Sequence, residues 1–231
     1  MPIYFLHIPK TGGSVLHHAL TKIGNPNLIK CDHDRRFHIT GLDDRFVFFV
    51  RSPITRFVSA FLCRLGEGKP LYDHPHTLEE RCTYLRYKTP EELALDLYLP
   101  NGQMNTSAVE ALNGVFHLRV SLHYYIQSMA NLMHNTNRIF YVGRTEYLDH
   151  DYQKLMNKLG IKAPSLTKDP VLSNQLPKEF KAFTTLSQRA KDNIMRYYIE
   201  DYRLIKQLKT MGLLSKDYLS NEFSRLRELG L

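Results

Sequence analysis

Long apolar runs are absent from this chain of 231 residues: no stretch approaches the roughly 18 consecutive apolar residues that a membrane span requires. The start is equally bare, since Met1-Pro2 leads straight into a β-like segment with no cationic opening and no cleavable apolar stretch of the kind that marks secretion. Cysteine is scarce. Three residues, Cys31, Cys63 and Cys82, are too few and too scattered for a disulfide scaffold or a zinc site, and the expected setting is a reducing cytoplasm. Repeats, low-complexity tracts and obvious linkers are also missing, so one domain over 1–231 is expected. Acidic residues are outnumbered, 23 Asp and Glu against 31 Lys and Arg, for a formal charge of +8. That excess points to an anionic ligand without saying which. What is present, 43% hydrophobic and 23% charged residues, is the composition of a soluble globular protein with enough chain for a proper core.

Residues 3–8 (Ile-Tyr-Phe-Leu-His-Ile) form an apolar run too short for a helix and stopped by Pro9, the pattern of a buried parallel strand. Apolar residues then recur at Val15, Leu16, Ala19, Leu20 and Ile23, a one-sided helix closed by Gly24. A weaker strand is expected near 28–32. The strongest strand signal, Phe46-Val47-Phe48-Phe49-Val50, ends at Arg51. It leads into a helix with Phe57, Val58, Phe61, Leu62 and Leu65 on one face and Pro53 near its first turn. A helix around 118–133 precedes a fourth strand, Ile139-Phe140-Tyr141-Val142. Helices near 149–159 and 187–211 follow, each ended by a glycine, Gly160 and Gly212. Strands alternating with helices predict an α/β fold, a mostly parallel sheet with helices on both faces. Residues 66–115, polar and carrying Pro70, Pro75, Pro90 and Pro100, show no clear sheet strand and read as an insertion.

His7-Ile8-Pro9-Lys10-Thr11-Gly12-Gly13-Ser14 lies between a strand and a helix, where a parallel sheet presents its binding crevice. Two glycines let the backbone turn tightly and approach a ligand. The first N–H groups of the following helix lack intrahelical partners, and the helix dipole adds positive potential. Lys10 and the hydroxyls of Thr11 and Ser14 supplement them. The loop suits a phosphate but is not a Walker A sequence, whose lysine follows the glycines. Alone, it also fits a glycine-containing turn with a solvated lysine. A second anion site is expected where Arg51 ends the strongest strand. Arg56 and Ser59 follow it three residues apart, on a helix face turned away from the apolar one. Arginine grips phosphate with two parallel hydrogen bonds, although a solvated basic face would carry the same residues.

The segment 7–14 resembles the 5′-phosphosulfate loop of PAPS-dependent sulfotransferases, and Arg51-Ser-Pro-Ile-Thr-Arg-Phe-Val-Ser59-Ala-Phe resembles their 3′-phosphate-binding segment. The likeness is to Golgi-type carbohydrate sulfotransferases, including the heparan sulfate 2-O-sulfotransferase group. Tyr141-Val-Gly-Arg-Thr-Glu146 and Tyr198-Ile-Glu-Asp201-Tyr are similar to that family's carboxyl-terminal half. The resemblance implies a P-loop-like α/β fold and 3′-phosphoadenosine 5′-phosphosulfate (PAPS) as donor, with PAP as product and no metal. The chain departs from the family in Ser52, where an aspartate is common after the arginine, and in lacking a membrane anchor.

On this reading Lys10 neutralises charge developing on the leaving phosphate. The N–H groups of Gly12, Gly13 and Ser14 hold the 5′-phosphate, with the Thr11 and Ser14 hydroxyls assisting. Arg51 and Ser59 take the 3′-phosphate, with Arg56 nearby. A hydroxyl acceptor, a glycan or a small molecule, needs a general base poised near neutral pH. His33, just past the second strand, is the first candidate, and His38 and Asp34 are the next. Cys31, His33 and His38 lack a fourth ligand at metal-site spacing. Tyr197, Tyr198 and Tyr202 read as core packing. The competing readings are a P-loop nucleotide or small-molecule kinase and a basic nucleic-acid-binding module. The first lacks a Walker B aspartate and the second any recognisable motif, so no nucleic-acid partner is expected. Oligomeric state is not encoded in any motif.

Overall fold

A parallel strand covered on both faces carries almost unbroken apolar sequence, and residues 46–50 are each at most 3% exposed. They belong to a four-stranded sheet in the computed structural model, which describes residues 2–31, 33, 36–37, 44–162, 165–169, 171 and 176–231. In chain order the elements are β1 (Ile3–Leu6), α1 (Gly13–Ile23), β2 (Leu28–Cys31), β3 (Arg45–Val50), α2 (Pro53–Leu65), α3 (Leu78–Arg86), α4 (Pro90–Asp96) and α5 (Thr106–Gly114). There follow α6 (Phe116–Arg119), α7 (Leu122–Ile126), α8 (Met129–His134), β4 (Ile139–Arg144), α9 (Leu148–Lys158), α10 (Gln188–Tyr197), α11 (Ile199–Thr210) and α12 (Ser220–Glu228). The α/β expectation holds. The sheet is wholly parallel in the order β2-β1-β3-β4. Among the described residues no helix is long and apolar enough to cross a membrane.

The contacts divide the chain into two compact units. The first comprises Met1–Arg51, Leu122–Asn174 and Arg203–Tyr218 and contains the sheet. Strand alternation turns Phe5, Val47 and Phe49 onto one face, where they pack with Val15, Leu16 and Leu20 of α1 and Tyr152, Leu155 and Met156 of α9. On the other face Phe37 meets Phe46 edge-on at 4.7 Å between ring centres. Arg144, ending β4, grips the buried Asp151 of α9 with Nε and Nη2, both at 2.8 Å. This pair fixes the turn between them.

The second unit comprises Ser52–Ser121, Gln175–Tyr202 and Leu219–Leu231 and is helical. Its core joins Phe57, Phe61 and Leu62 of α2 to Leu93, Leu97, Leu112, Leu118, Ile194 and Tyr198. Residues 66–115 thus supply helices α3, α4 and α5. Thr77 with Glu80 and Thr89 with Glu92 form reciprocal capping boxes that start α3 and α4. The helix expected around 118–133 is instead three short ones. Gln127 takes a left-handed φ of 73°, and Ser128 accepts from Asn131 N–H to begin α8 afresh. The helix expected over 187–211 likewise breaks at Tyr198, between α10 and α11.

Candidate functional site

With the strands ordered β2-β1-β3-β4, the chain leaves β1 toward one side and β3 toward the other, so the loops after β1 and β3 flank the switch point where open parallel sheets bind ligands. The loop after β1 is built for close approach. Gly12 has φ 83° and caps α1, and the first intrahelical bond is Leu16 N–H to Gly12 O at 3.2 Å. The N–H groups of Gly13, Ser14 and Val15 therefore precede any intrahelical acceptor. Lys10 also lies in the left-handed region, φ 66°, a conformation costing a non-glycine residue on the order of 1 kcal/mol. Its carbonyl accepts a hydrogen bond from Arg51 Nη1 at 3.1 Å. The two loops at the switch point are thereby tied together, and Thr145 Oγ1, after β4, donates to Val50 O at 3.1 Å.

Thr11 sits differently from the expectation. Its hydroxyl is buried and donates to Ile8 O at 2.8 Å, closing the turn, so the side-chain proton goes to the loop itself. Ser14 stands half-exposed in the first turn of α1.

His7, which opens the 7–14 segment directly after β1, is part of the same edge. A Cβ added at Gly13 would lie 1.9 Å from His7 Cδ2 and 2.0 Å from Nε2, so the imidazole rests directly on the opening of α1. Burial, and then His33, His17 and Lys10, lower its pKa to about 3, which keeps it neutral near pH 7. Its ring lies 4.0 Å from that of His33 and 6.4 Å from that of His17. Position was the available signal, the residue directly after the first strand at its carboxyl end.

His33 is held from two directions. Tyr125 OH donates to its carbonyl at 2.8 Å, and His33 Nδ1 lies 2.8 Å from His7 O. A carbonyl only accepts, so Nδ1 carries a proton, and in that neutral tautomer the lone pair is on Nε2. His38 and Asp34 lie outside the described residues.

Arg56 and Ser59 belong to the second unit. Arg56 was expected on a face turned away from the apolar one; it is 2% exposed. Its Nη1 donates to His117 O at 3.1 Å and Val120 O at 2.9 Å, and its guanidinium lies 5.4 Å from the centre of the Tyr198 ring. Carbonyl acceptors and an aromatic face offset part of the cost of that burial, while among the described residues Nε and Nη2 are buried with no hydrogen-bond partner. Ser59 is half-exposed. Ser52 caps α2, accepting from Thr55 N–H, while its hydroxyl donates to Glu222 Oε1 at 2.7 Å. An aspartate here would cap equally well but would set two carboxylates together.

Among the described residues no three His, Cys, Asp or Glu side chains are grouped to hold a metal ion. Compared with family models, curated proteins and solved structures, the chain finds no match.

Proposed function

We propose that the chain is a PAPS-dependent sulfotransferase of P-loop-like fold, moving a sulfuryl group to a hydroxyl, on a carbohydrate or another small molecule, in a cytoplasmic setting. The observation that carries this reading is the tie between Arg51 and the carbonyl of Lys10. It joins a glycine-opened helix start to an arginine at a switch point, two cationic features that suit a nucleotide with a phosphate at each end.

In this reading the N–H groups of Gly12, Gly13 and Ser14 hold the 5′-phosphate and Arg51 meets the 3′-phosphate. Lys10 lies beside the bridging oxygen and offsets the charge that collects there as the sulfur–oxygen bond breaks. His33 Nε2 takes the acceptor's proton as the new sulfur–oxygen bond forms. His7 carries no charge of its own to the leaving group, and its carbonyl fixes the His33 tautomer. The reading rests on the first unit alone.

Calorimetric titration with PAP tests the donor site, and a labelled-sulfate screen over polysaccharides, small alcohols and tyrosyl peptides tests the reaction. PAP should bind with a stoichiometry of one, and Arg51→Ala should weaken it at least tenfold. Absence of PAP binding, or saturation by ATP with Mg²⁺ instead, would overturn the proposal in favour of a kinase.

A further inference from the structure

The second unit carries a cleft of about 550 Å³ whose walls include Tyr98, Arg189, Asp192, Asn193, Arg196 and Arg225, a volume within the usual range for small-molecule sites. Its charges do not cancel. Arg225 reaches Asp192 through Nε at 2.9 Å and Nη2 at 2.6 Å, and Gln188 Nε2 donates to the same carboxylate at 2.8 Å. The hydrogen bonds from Arg225 hold the Asp192 carboxyl below the ordinary range, so this one carboxylate among the six is ionised and already paired. The Asn193 amide donates to Ala94 O and Leu95 O. Burial raises the Tyr98 hydroxyl, which stays protonated and able to donate.

What is left over includes two positive guanidinium groups, of which that of Arg196 bears on Asp192 through its charge alone. Among the described residues no ion pair or hydrogen bond engages the guanidinium of Arg189 or Arg196, and Arg196 Nε is buried without a partner. A buried donor without an acceptor is an uncommon arrangement, and a tetrahedral oxyanion satisfies guanidinium forks well.

We propose that this cleft binds a phosphate or sulfate ester on a molecule of about monosaccharide size, with Arg189 and Arg196 as the ligands of the oxyanion. The site shares no residue with the loop at the sheet edge and does not depend on the sulfotransferase reading.

The test is a titration of the intact chain with glucose 6-phosphate, glucose 6-sulfate and glucose at fixed ionic strength, followed through the arginine Nε–H signals in nitrogen-15 NMR. At least one ester should shift Arg189 and Arg196 saturably, the preferred ester identifying the chemistry, and glucose should not. Arg189→Gln, at an exposed position, and Arg196→Gln should each weaken binding at least tenfold, while Lys10→Ala should leave it unchanged. No saturable shift with either ester, the same shift with chloride, undiminished binding in Arg189→Gln, or loss of binding in Lys10→Ala would overturn the proposal. PAP affinity measured in Arg189→Gln separates the two sites: it should match the parent chain.

Discussion

At the scale of single residues, the His7 imidazole shows how packing becomes a pH response. Set against Gly13, it titrates at about 3, whereas a water-exposed histidine titrates near 6.5. Between those values the unfolded chain binds a proton that the folded chain refuses. Stability is therefore full above about 6.5 and declines as pH falls through this window, with a slope of up to about 1.4 kcal/mol per pH unit. Denaturant midpoints between pH 7 and 5, above the carboxylate range, should show the decline, and His7→Asn should flatten it; an equal slope in the variant would place the titrating group elsewhere. Lys10 poses the converse case, a charge with little part in packing. Lys10→Ala should lower sulfuryl transfer about a hundredfold with an unchanged unfolding midpoint, and retained turnover would remove lysine from the leaving-group role. Lys10, the glycine pair and Arg51 were legible in the sequence because their chemistry is conspicuous in a short loop. The contact of His7 with Gly13 was not, since nothing in the 7–14 segment records that the ring folds back onto the start of α1. The burial of Arg56 was equally hidden, because its carbonyl acceptors, His117 and Val120, come from a distant stretch of chain.

Elements were legible where one signal dominated. The apolar run ending at Arg51 and the one-sided pattern of α1, stopped by Gly24, required no tertiary information. The broken helices did, because an apolar repeat continues across a gap of two residues and only Ser128 and the left-handed Gln127 betray the break. Helix α1 itself gives a prediction. A methyl group at residue 13 has no room while His7 is in place, so Gly13→Ala should displace the imidazole, lower stability by about 1–3 kcal/mol and weaken PAP binding. Adding His7→Ala removes the clash and should restore part of the stability, measured by thermal unfolding. A double variant no more stable than Gly13→Ala would show that the helix start, not the ring, resents the side chain.

For the whole molecule, the strand order was the hidden quantity. Nothing local in β1 or β3 records that they are neighbours, yet that pairing brings the two basic loops together at one edge. Net charge acts over longer range. With +8 on the chain, association of a polyanionic nucleotide should be accelerated by attraction, and its on-rate should fall steeply as salt rises while dissociation changes little. A salt-independent on-rate by stopped flow would confine the attraction to short-range contacts. The hydrogen bond from Arg51 to the Lys10 carbonyl has a last consequence. The guanidinium that meets a guest phosphate also supports the strained peptide of the other loop, so half-molecules bearing one phosphate apiece should report affinities that do not sum to that of the intact bisphosphate.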